Sequence, residues 1–337
     1  IYFPEVKALH LSLPPLAEQR RIVAKIDSLA AGSRRARDHL DHIPRLVEKY
    51  KQAILRAAFR GDLTREWRRA RPGMESADSM IARTPAPSQS RGGRNATSNV
   101  VPGQAALSVN DPGTARQETG HTPSRQHPEY WGGGVPWIGI RDAGKHHGMV
   151  IEETAQTVSE TGLANSSARL LPPGTVCLSR TASVGYVTIM GRSMATSQDF
   201  ATWTCSAALT PKFLMYAIMA EGDAIKEFGE GSTHTTIYFP EIRALHLCLA
   251  PLEEQHEIVR RIETAFAWID RLAGEATNAR KLIDNFDRAV LSKAFRGELV
   301  PQDPNDEPAA VLLERIRAER SGRPAPVRRG RRARASA

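Results

Sequence analysis

The chain has 337 residues, 41% of them hydrophobic, so it can bury at least one sizeable core, and no apolar run approaches the ~20 residues that span a bilayer as a helix. Its three cysteines, Cys177, Cys205 and Cys248, form no CxxC pair, which argues against a disulfide scaffold and suits a reducing cytosol. The net charge of +9 says less than its size suggests, because residues 314–337 hold nine Arg against two Glu, whereas residues 121–230 hold eight Lys plus Arg against ten acids.

The first element is half of a repeat. Ile1 to Ala31 (IYFPEVKALHLSLPPLAEQRRIVAKIDSLAA) returns as Ile237 to Ala267 (IYFPEIRALHLCLAPLEEQHEIVRRIETAFA), and Ala53 to Leu63 matches Ala289 to Leu299 at the same offset of 236 positions without a gap. In the first copy Ile22, Ile26, Leu29, Ser33, Ala36, Leu40, Ile43, Val47, Tyr50 and Ile54 step by alternating four and three, a heptad seam. In the second copy Ile258, Ile262, Ala265, Ile269, Leu272, Ala276, Ala279, Ile283, Phe286 and Val290 stand at the equivalent places. Two helices with matching stripes can cover each other as an antiparallel pair, each about 60 Å long at about 1.5 Å per residue. Pro15-Leu16-Ala17-Glu18 and Pro251-Leu252-Glu253-Glu254 read as helix starts, and Gly61 and Gly297 as stops. Pro44, where the second copy has Arg280, predicts a kink or break near Ile43.

Residues 65–120 are rich in Pro, Ser, Gly, Ala and Arg without apolar periodicity and read as a disordered linker. From 121 to 236 short apolar or β-branched runs alternate with Gly and Pro, as in VPWIGI, GTVCLSR and SVGYVTIM, the texture of strands and turns. One helix is expected over Pro211 to Phe228, and Gly132-Gly133-Gly134 is read as a turn. The expected organisation is a helical repeat at 1–64, the linker, a strand-rich domain at 121–236, a second helical repeat at 237–300 and a basic disordered tail at 301–337. The fold class is α+β, with the strand-rich domain flanked by two long repeat helices that form an antiparallel coiled coil.

An ordered set of motifs carries a resemblance. Thr122-Pro123-Ser124, Glu129-Tyr130-Trp131-Gly132 and Val135-Pro136-Trp137-Ile138 are followed by LLPPGTVCLSRTASVGYV and TSQDF, then Gly231-Ser232, Pro251 to Gln255 and Ala294 to Leu299. The chain resembles the specificity subunits of type I restriction-modification enzymes over roughly residues 1–64 and 121–300. The resemblance implies a target recognition domain that reads double-stranded DNA and docks methyltransferase (M) subunits and, through them, restriction (R) subunits. It implies no catalysis, cofactor, metal or membrane association in the chain itself. Such subunits usually carry two recognition domains, and one is present here. The chain begins with Ile inside a repeat whose other copy follows a globular segment, so an upstream domain is expected, and self-association of two copies is a second way to complete a bipartite site.

Arg180, Thr181 and Ser183 follow an expected strand and offer donors and hydroxyls for base edges and phosphates. Arg141, Lys145 and His146 form an expected cationic loop with His147, and Gln198, Ser232, His234 and Thr235 add polar groups. The bland reading of each is a solvated loop residue. His146-His147 lacks a Cys or carboxylate at ligand spacing, which disfavours a metal. Trp131, Trp137 and Trp203 are read as core. A hydrolytic reading would combine His121, His127 or His234 with Asp142 or Asp199, and a structural reading would make the chain a coiled-coil adaptor without DNA readout.

Overall fold

The structure, a computed structural model, describes residues 12–84, 105–108, 113–222, 225, 236–243 and 245–321. In chain order the helical repeat supplies α1 (Leu16–Asp41) and α2 (Ile43–Phe59), followed by short α3 (Arg65–Arg69) and α4 (Ala77–Arg83). Then come β1 (Ala105–Ser108), β2 (Ala115–Thr119), β3 (Trp131–Ile138), α5 (Ile140–Lys145), β4 (Val150–Ile151), β5 (Gln156–Val158) and α6 (Glu160–Ala164). The rest is β6 (Val176–Ser179), β7 (Val187–Met190), β8 (Ala195–Thr196), β9 (Phe200–Cys205), α7 (Pro211–Glu221), α8 (Phe239–Arg243), β10 (His246–Leu249), α9 (Leu252–Phe295) and α10 (Ala309–Ser321). The chain is α+β. It divides into two compact units, Ile1–Arg45 with Leu272–Ala337, and Leu46–Arg271.

The helix punctuation follows the sequence. α1 opens after Pro15, whose carbonyl takes the Gln19 N–H at 2.9 Å. It ends at Asp41, and α2 restarts at Ile43 with Pro44 in its first turn. Pro44 has no N–H to return to the preceding turn, and this is the physical cause of the break. Both repeat copies end alike: Gly61 and Gly297 adopt φ of 76° and 73°, while Asp62 N–H reaches Ala57 O and Glu298 N–H reaches Lys293 O, each at 2.9 Å. A left-handed residue closing such a six-residue loop suits glycine.

In the first unit, Ile22, Ile26, Leu29, Ser33, Ala36 and Leu40 form the sheltered stripe of α1. Ser33 Oγ donates to Asp287 at 2.6 Å, Arg37 reaches Asp287 at 2.7 Å and Asp284 at 2.8 Å, and Asp41 pairs with Arg280. Partner numbers fall as α1 numbers rise, so the pair is antiparallel. Leu272 and Phe286, expected in the α9 stripe, are instead exposed. The tail expected at 301–337 holds a helix, α10, and Asp306 before it takes Arg21 at 2.6 Å. Residues 322–337 lie outside the described residues.

The second unit is built on a five-stranded sheet in the order β2-β9-β6-β7-β4, with β5-β3-β8 and β1-β10 as smaller sheets. β6, β7 and the first four residues of β9 are buried on both faces, which explains their unbroken runs of apolar and hydroxyl residues. On one side Trp203, Leu178 and Val187 join Phe213 and Leu214 of α7, Leu55 of α2 and Ile258 and Ile262 of α9. On the other, Phe200, Cys177 and Met190 join Ile138, Ile151 and Met194. Trp203 and Trp137 are buried and Trp131 partly so.

Three boundaries differ from expectation. β2 pairs with β9 from Ala115↔Cys205 to Thr119↔Ala201, inside the stretch read as linker, which also holds α3, α4 and β1. The polar run ARQET lacks strand alternation and takes its form from the neighbour it hydrogen-bonds. Gly132-Gly133-Gly134 is an irregularity within β3, where the pairing with β5 shifts between Trp131 and Val135. A Cβ on Gly133 would stand 2.3 Å from Ser159 Cα, so that backbone approach needs glycine. α7 stops at Glu221, where Gly222 has φ 55°. Among the described residues no helix is long and apolar enough to cross a membrane.

Candidate nucleic-acid interface

The rigid pair β6 and β7 projects the connection 180–186, which packs against the β8–β9 connection. Ser179 braces its base: the hydroxyl donates to Ser183 O and accepts the Tyr186 N–H at 2.8 Å, and Gly185 N–H reaches Ser179 O at 3.0 Å. At the tip Ala182 is exposed and holds φ 61°, a left-handed backbone that costs a non-glycine residue about 1 kcal/mol or more.

Arg180 N–H donates to Asp199 O at 2.8 Å, and Arg180 Nη2 donates to Gln198 O at 3.0 Å. The guanidinium lies 4.6 Å over the Phe239 ring, and its Nε is buried with no partner among the described residues. Burial lowers its pKa from the ordinary arginine value while the Asp199 charge opposes the shift, and it stays cationic. Thr181 Oγ1 donates to Asp199 Oδ1, and Ser197 Oγ donates to Asp199 Oδ2 at 2.9 Å. Gln198 is exposed and its Oε1 takes the Thr122 hydroxyl at 2.6 Å. Arg180, Thr181, Ser183 and Gln198 therefore share one bonded patch.

Arg141, Lys145 and His146 lie on or directly after a short helix, not on the expected loop. Asp142 makes that helix by accepting the Gly139 N–H at 3.1 Å and the Ala155 N–H at 2.9 Å. Its start is tied to the patch through Ser197 N–H to Ile138 O at 3.2 Å, and Arg141 is exposed there. Lys145 is exposed at the far end. His146 donates from Nδ1 to Asp142 O at 2.9 Å and is partly spent on the helix. Ser232, His234 and Thr235 lie outside the described residues.

The hydrolytic pairing finds no support in these contacts. Asp142 is a helix cap, Asp199 holds hydroxyls, and His127 pairs with Glu129 at 2.9 Å, while His234 lies outside the described residues. His147 Nδ1 accepts the Val187 N–H at 3.0 Å, and among the described residues no group of three or more His, Cys, Asp or Glu is placed to hold a metal. Sequence reasoning missed Asp199, Ser197 and Thr122 as parts of the patch. The available signal was the Ser-x-Asp spacing at 197–199, in which a hydroxyl two residues before a carboxylate can close a local turn.

Comparison with known proteins agrees with this architecture. The profile of the family described as type I restriction modification DNA specificity domain matches residues 110–278, about half of the chain and all of the patch. The type I restriction enzyme EcoDI specificity subunit of Escherichia coli is 26% identical over 94% of this chain and 70% of its own length. A chain from a structure of the type I R-M system, described for its complex assembly and conformational transition, superposes with TM-score 0.62 at 22% identity, covering 85% of this chain and 61% of that one. The HsdS subunit from Thermoanaerobacter tengcongensis gives 0.52 at 21%, covering 86% and 61%. Those two likenesses speak to the fold, and this chain spans about two thirds of its relatives' length. With half its residues matched to the profile, the chain belongs to the family of type I restriction modification DNA specificity domains.

Proposed function

We propose that this chain is a non-catalytic subunit that reads double-stranded DNA by sequence and directs methylation and cleavage performed by methyltransferase and restriction subunits of a cytoplasmic type I restriction-modification complex. The observation that carries this reading is the patch on the β6–β7 and β8–β9 connections, which lies within the family match and gathers Arg180, Thr181, Ser183 and Gln198 on loops anchored by buried strands. Donors and acceptors held by a rigid scaffold suit base edges in the major groove. Arg141, Lys145 and His146 on the adjoining helix suit phosphates, which position the duplex without specifying it. Ser232, His234 and Thr235 belong to the same proposal.

The test is to co-purify the chain with its methyltransferase subunit and map modified bases across a genome. One short motif, absent with methyltransferase alone, is the expected result, and no motif would overturn the reading. The mass of the complex separates a single chain reading a half-site from two associated copies reading a palindrome. Methylation of sites with two unrelated halves, with no other specificity chain present, would contradict both. Arg180→Ala is expected to cost about 1 to 3 kcal/mol on the selected sequence and to leave random DNA unaffected.

A further inference from the structure

We propose that Asp199 is the positioning residue of this patch, locking two loops together and presenting the Thr181 hydroxyl as an obligate acceptor for a base amino group, adenine N6 or cytosine N4. This role rests on the DNA reading above.

An ionised carboxylate only accepts, and Asp199 receives one proton from each loop: Thr181 Oγ1 on the β6–β7 side and Ser197 Oγ on the β8–β9 side. The backbone adds two more ties, Arg180 N–H to Asp199 O at 2.8 Å and Asp199 N–H to Ser197 Oγ at 3.2 Å. A threonine hydroxyl carries a single proton. Thr181 is a partly exposed residue, and with that proton committed to Asp199 its hydroxyl oxygen has only lone pairs left for a ligand. In the major groove the groups that answer a lone pair are the amino groups of adenine and cytosine, whereas guanine offers acceptors alone and thymine an acceptor and a methyl group. Gln198 adds donors, since its oxygen takes the Thr122 proton and its NH2 can donate. The exposed left-handed Ala182 next to Thr181 indicates a loop held in one conformation against its own preference.

The experiment uses the full chain with its methyltransferase subunit and selects binding sequences from a random duplex pool. Wild type and Asp199→Asn, Asp199→Ala, Thr181→Val and Thr181→Val/Asp199→Ala are compared, with melting temperature and amide exchange of residues 180–186 recorded on each protein. Thr181→Val is expected to lower affinity for the selected sequence about tenfold to a hundredfold and to leave random DNA unchanged. Asp199→Asn, whose amide can donate to Thr181 and turn the hydroxyl proton outward, is expected to keep the melting temperature and relax the preference at one A or C position. The double variant should be no worse than the poorer single one, and Asp199→Ala should speed exchange in the loop. An unchanged motif for both Asp199→Asn and Thr181→Val, or equal losses on selected and random DNA, would sink this role alone. A wild-type complex that selects no sequence would sink the DNA reading and this role with it.

Discussion

The two repeat copies share closely related ends and one stripe spacing in different company. In the second unit Leu55, Leu249 and Val259 are 2%, 0% and 8% exposed, and their equivalents in the first unit, Leu291, Leu13 and Val23, are 47%, 44% and 56% exposed. Phe59 packs on Phe213 of α7 with ring centroids 5.1 Å apart, and its equivalent Phe295 is exposed. Both glutamines donate to the carbonyl five residues earlier, Gln19 to Pro14 O and Gln255 to Ala250 O, and Gln255 also takes the Thr210 N–H at 2.9 Å and donates to Ala208 O at 2.8 Å. Buried Glu254 is held at its Oε1 by Thr64 and Arg68, and each of Glu254 and the almost equally buried Glu18 keeps one oxygen without a partner among the described residues, Oε2 in the first and Oε1 in the second. Val300 and Pro304 stand where a repeat of Thr64 and Arg68 would fall, and neither has a side chain that can donate. Helix, stripe and stop thus belong to the repeat itself, while burial beyond the stripe comes from the domain that packs in the second unit.

The largest expected effect is at the stripe. Ile262 is fully buried in the second unit's core, and Ile262→Asp places a charge there, so more than about 4 kcal/mol of stability should be lost. Ile26→Asp at the equivalent, half-buried position should lose clearly less. Similar melting temperatures for the two variants would break the contrast. Next comes Arg68→Ala, which strands the Glu254 carboxylate inside the protein and should cost about 3 to 5 kcal/mol. Arg21→Ala, removing a partly exposed ion pair, should cost clearly less than Arg68→Ala, and denaturant titration of both variants measures the gap.

Leu55→Ala follows at about 2 to 5 kcal/mol for a cavity in a packed core, against a few tenths for Leu291→Ala. A Leu291→Ala loss as large as that of Leu55→Ala would mean that the exposed copy is covered in solution. The smallest effect is on the acid side. The Ser33 hydroxyl first, then Arg37, holds Asp287 below the ordinary carboxylate range. A depressed folded pKa contributes stability that is present above the unfolded value, about 3.9, and is lost as pH falls through the lower folded one. Asp287→Asn should therefore lower stability slightly at neutral pH and flatten its further loss below about pH 4, as acid titration followed by circular dichroism would register.

Much of the helical part was legible because a heptad repeat is a local pattern, and the interruption at Pro44 follows from one missing N–H. Tyr50 and Phe286 show the limit, since both fall on the stripe and both are exposed. Periodicity assigns a face, but only packing decides how far a bulky ring on that face is covered. The domain's start was misplaced because Ala115–Thr119 has no pattern of its own and becomes a strand by pairing with β9. The candidate loop residues were found by composition. Their relation through Asp199 was not, because positions 181 and 197–199 come together only when β6 and β9 pair.

By itself the sequence determined two helices with matching seams, their breaks and stops, and a strand-rich body between them, since each follows from backbone propensities and side-chain spacing within a few turns. Only the tertiary structure decided which repeat surfaces are covered, where the sheet begins and which polar groups meet at the patch. Those depend on contacts between residues far apart in the chain, where burial leaves a hydroxyl or carboxylate to be satisfied by whichever partner the fold brings within reach.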